Sequence, residues 1–151
     1  MPRPQDARPD PLPPPAPPAD GFWQDRTSLA APRAVPGCGR GLFAIAPIAA
    51  GTVIDRACTV EVAAAQCPDL DRMQPLGDFY FEHPEDPRAG LMALGLMSLC
   101  NHADRANADV RFTREDGLGW MAELVALAPI AAGSEITYRY KCPLWFPETD
   151  R

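Results

Sequence analysis

A thirteen-residue pattern occurs twice in this chain and limits the folds it can adopt. Residues 42–54 read LFAIAPIAAGTVI, and residues 124–136 read LVALAPIAAGSEI. In both copies an apolar run meets a proline, which lacks a ladder amide, and then a glycine, which accepts a positive φ. Each copy is therefore predicted to form a strand, a turn at Gly51 or Gly133, and a second strand. The copies are expected within one sheet system, although a chance recurrence of common turn chemistry would also produce the pattern.

From residue 28 onward, the sequence consists of short apolar runs separated by Gly and Pro. This pattern predicts a mainly β fold with few short helices. The densest apolar run, Leu91–Leu99, is predicted to be a short buried helix. The preceding stretch, Cys67–Pro87, is polar and interrupted by prolines, so it carries no clear signal. A length of 151 residues suits a single compact domain.

The N-terminal segment has a different composition. Residues 1–19 hold nine of the nineteen prolines and almost no large apolar side chains. Such a segment cannot bury enough surface to offset the entropy of ordering it. Residues 1–27 are therefore predicted to be a disordered Pro-rich tail, which would also suit an aromatic groove as a polyproline II ligand. The predicted domain spans 28–141, and 142–151 forms a short C-terminal flanking segment.

The charge of the chain bears on its partners. The net charge of -6 falls entirely after Arg33, where 10 basic residues face 16 acidic ones. An acidic surface repels nucleic-acid phosphates and steers basic proteins towards it, although solubility alone would also explain the excess. The charge thus argues against direct contact with nucleic acid and is compatible with a basic protein partner, but taken alone it is better explained by solubility.

The cysteines and apolar stretches bear on metal binding and location. The five cysteines form no C-x-x-C pair, and the two histidines add no zinc-site spacing, so no metal is expected. The odd number of cysteines, without a secretory signal, predicts reduced thiols and a cytoplasmic location. The uncharged stretches are shorter than the ~20 residues that span a bilayer, so no membrane segment is expected.

Three short motifs are candidates for a functional site. Gly39-Arg40-Gly41 would let a ligand approach the backbone or simply make a tight turn, and the strand predicted after it argues against a dinucleotide-binding loop. Asn101-His102, with Asn107 beyond it, offers polar groups next to a buried run and would serve either a ligand or a capped turn.

The third motif lies near the C-terminus. Tyr138 and Tyr140 alternate along a predicted strand and therefore present two phenols on one face. This arrangement is compatible with core aromatic residues or with a narrow aromatic channel. A nucleophilic Cys100 paired with His102 lacks any protease signature around it. The carboxylates of residues 78–86 are expected to be solvated, so neither group is assigned catalysis.

Taken in order, these motifs resemble the SET domain of protein-lysine methyltransferases, in particular the compact SET proteins of bacteria. The segments that carry the resemblance are Gly-Arg-Gly-Leu-Phe-Ala at 39–44, Asn101-His102 with Asn107, and Gly133-x-Glu-Ile-x-Tyr-x-Tyr ending at Tyr140. The resemblance runs from about residue 28 to residue 140. It implies a SET (β-clip) fold in which a C-terminal strand forms a pseudoknot.

The resemblance also implies an activity and a set of site residues. It implies that S-adenosyl-L-methionine donates methyl groups, without a metal, to a lysine side chain of a basic protein substrate. The implied catalytic residues are Tyr140 and Tyr138, and the implied cofactor-binding residues are Gly39, Arg40, Gly41, Asn101, His102 and Trp145. The alternatives are a noncatalytic SET-like interaction module and methylation of an amine other than lysine.

Overall fold

The computed structural model describes residues 28–141. The predicted tail, 1–27, and the flanking segment, 142–151, lie outside the described residues. The strands are β1 (Ala30–Val35), β2 (Gly39–Ala44), β3 (Val53–Val62), β4 (Tyr80–Glu82), β5 (Gly90–Ala93), β6 (Asn101–His102), β7 (Ala108–Glu115), β8 (Gly119–Ala126) and β9 (Glu135–Tyr138). The helices are α1 (Cys67–Arg72) and two 3₁₀ turns, Leu76–Phe79 and Leu96–Leu99. The mainly β prediction is confirmed.

The strands form two sheets. One has the order β1-β2-β9-β6 and the other the order β4-β5-β3-β8-β7. Of the described pairings, β6 with β9 is parallel and the rest are antiparallel. The late strand β9 therefore lies between the earlier strands β2 and β6, which is the pseudoknot expected from the family resemblance.

The two copies of the repeat bind each other around a local two-fold relation. Ile48 and Ile130 exchange backbone hydrogen bonds of 2.9 Å in both directions. Gly51 donates to the Ala126 carbonyl and Gly133 donates to the Ala44 carbonyl, each at 2.8 Å. Both glycines have a positive φ, 81° and 79°, as the turn prediction requires.

Each copy passes from one sheet to the other rather than lying within one sheet system. The first copy runs from β2 to β3 and the second from β8 to β9, so β2 pairs with β9 and β3 pairs with β8. The matching apolar side chains of both copies are buried in one core: Leu42, Ala44, Ile48 and Ile54, with Leu124, Ala126, Ile130 and Ile136. The repeat therefore joins the two sheets of the domain.

The helix predicted across Leu91–Leu99 is wrong. This run forms β5, then an extended residue, Gly95 (φ -137°, ψ 179°), and then a 3₁₀ turn. An apolar run of this length cannot be distinguished from a strand with neighbours on both sides, and β5 does pair with β3 and β4. A Cβ at Gly95 would lie 2.6 Å from Asp55 Oδ2, so the backbone there is pressed against β3.

Candidate active site

The Gly39-Arg40-Gly41 motif lies at the start of β2, after a tight hairpin turn. Gly37 and Gly39 have φ values of 80° and 77°, in the region that only glycine occupies without strain. Gly41 is glycine for a different reason. A Cβ there would lie 2.5 Å from Glu135 Oε1 and 2.8 Å from Asn101 Nδ2. The absence of a side chain at Gly41 therefore lets β2 pass close to the Glu135 and Asn101 side chains.

Those two side chains form the centre of a hydrogen-bond network. Asn101 Nδ2 donates to Glu135 Oε1 at 2.6 Å and to the Arg40 carbonyl at 3.2 Å. The amide of Asn101 thus ties β6 to β9 and to β2, whose sequence positions lie far apart. None of the hydrogen bonds among the described residues uses Oδ1 of Asn101, which leaves this acceptor for a ligand.

Asn107 holds β9 from the loop before β7. Its Nδ2 donates to the Glu135 carbonyl at 2.8 Å, and its Oδ1 accepts from the Thr137 amide at 3.0 Å. Its own carbonyl accepts from the Leu127 amide at 2.8 Å. The Asn107 side chain therefore acts as a short piece of strand beside β9. Asn107 thus holds the backbone of Glu135, the residue whose side chain accepts a hydrogen bond from Asn101.

The backbone amide and the side-chain hydroxyl of Tyr140 both make hydrogen bonds, the first to a residue of β6 and the second to Cys100, which precedes β6. Its hydroxyl donates to the Cys100 carbonyl at 2.8 Å, and its amide donates to His102 Nδ1 at 3.0 Å. The ring packs edge-on against His102, with centroids 5.3 Å apart, and at a tilt of 43° against Tyr138, with centroids 4.8 Å apart. Tyr138 and Tyr140 are thus neighbouring, half-buried phenols, as the alternation predicts.

His102 has a buried donor with no acceptor. Because Nδ1 accepts the Tyr140 amide, the neutral ring carries its proton on Nε2. Nε2 is buried and has no hydrogen-bond partner among residues 28–141; Asp104 Oδ1 lies 3.5 Å away, outside hydrogen-bond geometry. Buried polar atoms are generally satisfied, so Nε2 is an exception among the described residues, with the Asp104 carboxylate as a nearby charged group.

A cavity of about 320 Å³ opens beside the two tyrosines. Five residues form the aromatic wall of this cavity: Tyr80, Phe81, Phe112, Tyr138 and Tyr140. Phe81 contacts both Phe112 and Tyr138, with centroids 5.7 and 5.6 Å apart. The wall is therefore a continuous aromatic surface that reaches Tyr140. A long apolar stem with a polar end would fit such a cavity.

The cavity lining also contains charged residues. The carboxylates are Asp71, Asp78, Glu82 and Asp109, and the cations are Arg88 and Lys141. Arg88 is already engaged, because Asp86 accepts two hydrogen bonds from its guanidinium at 3.0 and 3.1 Å. Those bonds hold the pKa of Asp86 below its usual value. The carboxylates therefore leave the lining with an excess of negative charge, which favours a cation.

Cys100 contributes its carbonyl to the site and not its thiol. Burial, followed by the nearby Asp55 and Glu135 carboxylates, raises the pKa of the Cys100 thiol far above its usual value. The nucleophile of a cysteine is the thiolate, which this environment suppresses. A Cys100–His102 nucleophilic pair is therefore inconsistent with the structure.

The structure brings most of the predicted site residues together. Gly39, Arg40, Gly41, Asn101 and His102 surround the β2–β9–β6 seam, and Tyr138 and Tyr140 lie between that seam and the cavity. Trp145 lies outside the described residues. Sequence reasoning gave no role to Glu135 or to the Cys100 carbonyl. Glu135 stands inside the last motif, but its contact with Asn101 spans 34 positions and has no local signal.

Two further properties follow from residues 28–141. Within this range, no cluster of His, Cys, Asp and Glu side chains has the arrangement of a metal site. Within the same range, no helix has the length and apolar character needed to cross a bilayer.

Comparisons with known proteins agree with the arrangement of the strands. The family model of the SET domain matches residues 39–141. The chain belongs to the SET-domain family of protein methyltransferases.

A solved structure supports the same fold. It is the crystal structure of a candidate histone methyltransferase from Plasmodium falciparum, which matches with a TM-score of 0.63 and 21% sequence identity. The match covers 80% of this chain and 100% of that chain. At this identity the likeness establishes the fold alone. No curated protein matches the sequence of this chain.

Proposed function

We propose that this protein is an S-adenosyl-L-methionine-dependent methyltransferase that methylates a lysine side chain of a basic protein substrate. The observation that supports this proposal best is the position of Tyr140. Its hydroxyl is fixed on the Cys100 carbonyl, one residue before Asn101, and its ring lines the aromatic cavity. The Tyr140 side chain thus lies between the polar seam at Asn101 and the aromatic cavity.

The polar seam has groups that suit the cofactor. The free Oδ1 of Asn101 and the carboxylate of Glu135 would hold the ammonium of its amino-acid end. Gly39 and Arg40 are exposed, so their main-chain groups can be approached by a ligand, whereas Gly41 is buried against Glu135 and Asn101. Nε2 of His102 is a spare donor at the same seam. The proposed cofactor role of Trp145 lies outside the described residues.

S-adenosylmethionine supplies an electrophilic methyl group on a sulfonium when bound. The protein must present a neutral amine in line with it. An ordinary lysine amine, with a pKa of ~10.4, is mostly protonated, and an aromatic channel disfavours the charged form. The carboxylates of the lining attract the ammonium, and the Tyr138–Tyr140 wall then favours its loss of a proton. Alignment of the reacting atoms is worth on the order of 7 to 11 kcal/mol.

Tyr140 would orient the reacting groups rather than transfer a proton. Its hydroxyl proton is committed to the Cys100 carbonyl, so the hydroxyl oxygen and that carbonyl both present acceptors to the site. Such acceptors make weak C–H···O contacts with a methyl group. Tyr138, packed on the same ring, would limit the space around the amine and hence the number of methyl groups added.

The proposal is tested by calorimetric titration with S-adenosylhomocysteine, the demethylated product of the cofactor. We expect a dissociation constant at or below ~100 μM, about -5.5 kcal/mol, that is lost in Asn101→Ala. Arg139→Ala, on the exposed face of the same strand region, is the matched control and should bind normally. Absence of heat up to millimolar ligand would favour a noncatalytic interaction module instead.

The acceptor is tested next. Lysine peptides flanked by arginine should be methylated faster than the same peptides flanked by glutamate, because the lining is acidic. Transfer to small amines but to no peptide would contradict the proposed protein substrate. We also propose that the acceptor is a basic protein, that the enzyme makes no direct contact with nucleic acid, and that it acts in the cytoplasm.

A further inference from the structure

The one lysine of the chain lies at the proposed active site. Lys141 is the only lysine in 151 residues, against thirteen arginines. It follows Tyr140 directly and lines the cavity that Tyr138 and Tyr140 also line. Its side chain is exposed, and none of the ion pairs among residues 28–141 includes it. The amine is therefore available to move within the cavity.

The charges of the cavity favour that movement. Asp71, Asp78, Glu82 and Asp109 face the same space as Lys141. The Asp71 carboxylate is fixed by the Tyr80 hydroxyl, which donates to its Oδ1 at 2.7 Å. The other cation of the lining, Arg88, is held by Asp86. Lys141 is thus the described cation of the lining that is free to approach the carboxylates.

We infer that Lys141 is a methylation site of the protein itself, with its amine entering the channel of its own chain. The inference rests on the proposed function. The Lys141 ammonium gives up one proton to solvent, and its nitrogen lone pair forms the new N–C bond. The S–CH₃ bond of S-adenosylmethionine breaks, and the electron pair stays on sulfur, which leaves as the neutral thioether of S-adenosylhomocysteine.

The reach of the side chain makes a reaction within one chain reasonable. The Cα atoms of consecutive residues are ~3.8 Å apart, so Lys141 starts beside the backbone of Tyr140. Its stem of four methylene groups is flexible and apolar, which suits the aromatic wall. A group tethered this closely has an effective concentration of about millimolar or above, so the reaction does not depend on protein concentration.

The covalent test uses the full chain and methyl-labelled S-adenosylmethionine. We expect one or more increments of one methyl group on the peptide that contains Lys141, and none in Lys141→Arg, which keeps the positive charge. The labelling rate for each molecule should stay constant when the protein is diluted tenfold. Label retained in Lys141→Arg, or a rate that falls with dilution, would overturn the inference.

A mixing experiment separates the two routes. Tyr140→Phe, which keeps Lys141, is combined with Lys141→Arg, which keeps the tyrosine. The Tyr140→Phe chain should acquire no more label in the mixture than it acquires alone, because its lysine must enter its own channel. Additional label on that chain in the mixture would show transfer between molecules and would overturn the route within one chain.

A second readout does not depend on turnover. The amine of Lys141 in the Tyr140→Phe chain is reductively methylated with ¹³C-formaldehyde, which gives one lysine resonance and one N-terminal resonance. S-adenosylhomocysteine should shift the lysine resonance, because Lys141 lines the cavity beside Tyr140. An unshifted lysine resonance, at a ligand concentration that calorimetry shows to be saturating, would overturn the inference.

The failures of the two proposals are distinguishable. Calorimetric binding of S-adenosylhomocysteine together with an unlabelled Lys141 would overturn self-methylation and leave the proposed function intact. No binding at all would overturn the proposed function, and the inference with it.

Discussion

Replacement of Gly41 by alanine tests whether the close contact between β2, β6 and β9 supports the cofactor site. The added Cβ would lie 2.5 Å from Glu135 Oε1, 2.8 Å from Asn101 Nδ2 and 3.0 Å from Val35 Cγ2. The first two atoms are the partners of a 2.6 Å hydrogen bond. The carboxylate is the more flexible group, so it is expected to move and release the Asn101 amide.

The cost follows from the contact that is lost. Overpacking costs roughly 1–3 kcal/mol, and a hydrogen bond to a charged group is worth roughly 1.5–3 kcal/mol. Because the structure relaxes by breaking the bond, the two effects overlap, and we expect a loss of stability of about 2–3 kcal/mol. If Asn101 and Glu135 hold the cofactor, a similar loss of binding energy weakens S-adenosylhomocysteine binding about 30- to 150-fold.

Gly37→Ala in the same hairpin is the matched control. A Cβ at Gly37 has nothing within 4 Å, but its φ of 80° costs an alanine about 1–2 kcal/mol. Urea denaturation should therefore show both variants destabilised, whereas calorimetry should show weaker binding in Gly41→Ala alone. Equal affinity in both variants would refute the role of this network in binding the cofactor.

Three further outcomes follow from the site. Tyr140→Phe loses its bond to the Cys100 carbonyl, so it should cost about 1 kcal/mol of stability but most of the methylation rate; an unimpaired rate would contradict the assignment. Asn107→Ala leaves two backbone groups of β9 without their partner, so urea denaturation should show a loss of about 2–3 kcal/mol, and a loss below about 0.5 kcal/mol would refute its clamping role. The buried Cys100 thiol has a raised pKa, so its contribution to stability is full below the ordinary thiol pKa of about 8.5 and falls above it, by up to about 1.4 kcal/mol per pH unit. Free energies of unfolding at pH 8 and pH 10 should therefore fall more steeply in the natural chain than in Cys100→Ala, and equal slopes would refute the effect.

The turns of the fold could be predicted because their chemistry is local. Proline and glycine mark where each copy of the repeat leaves one strand and starts the next, and Gly51 and Gly133 have the positive φ values that this requires. The pairing of the two copies with each other could not be predicted. It depends on contacts between residues such as Ile48 and Ile130, which no local preference specifies.

The site shows the same division between local and distant signals. Alternation placed Tyr138 and Tyr140 together, and their rings are indeed in contact. By contrast, the partners that fix the site are mostly backbone carbonyls and a distant side chain: the Cys100 carbonyl for Tyr140, and Glu135 for Asn101. A backbone carbonyl carries no residue-specific signal, so sequence motifs cannot reveal it.

The exchange of hydrogen bonds between the two repeats has a consequence for how the chain folds. The amide of Gly51 needs the Ala126 carbonyl, and the amide of Gly133 needs the Ala44 carbonyl, so neither turn is complete before the other is present. The turn of the first copy therefore lacks a backbone partner while the second half of the domain is still missing. Hydrogen bonds between residues so far apart in the sequence require a long loop to close, which slows folding and couples the two halves of the domain to each other.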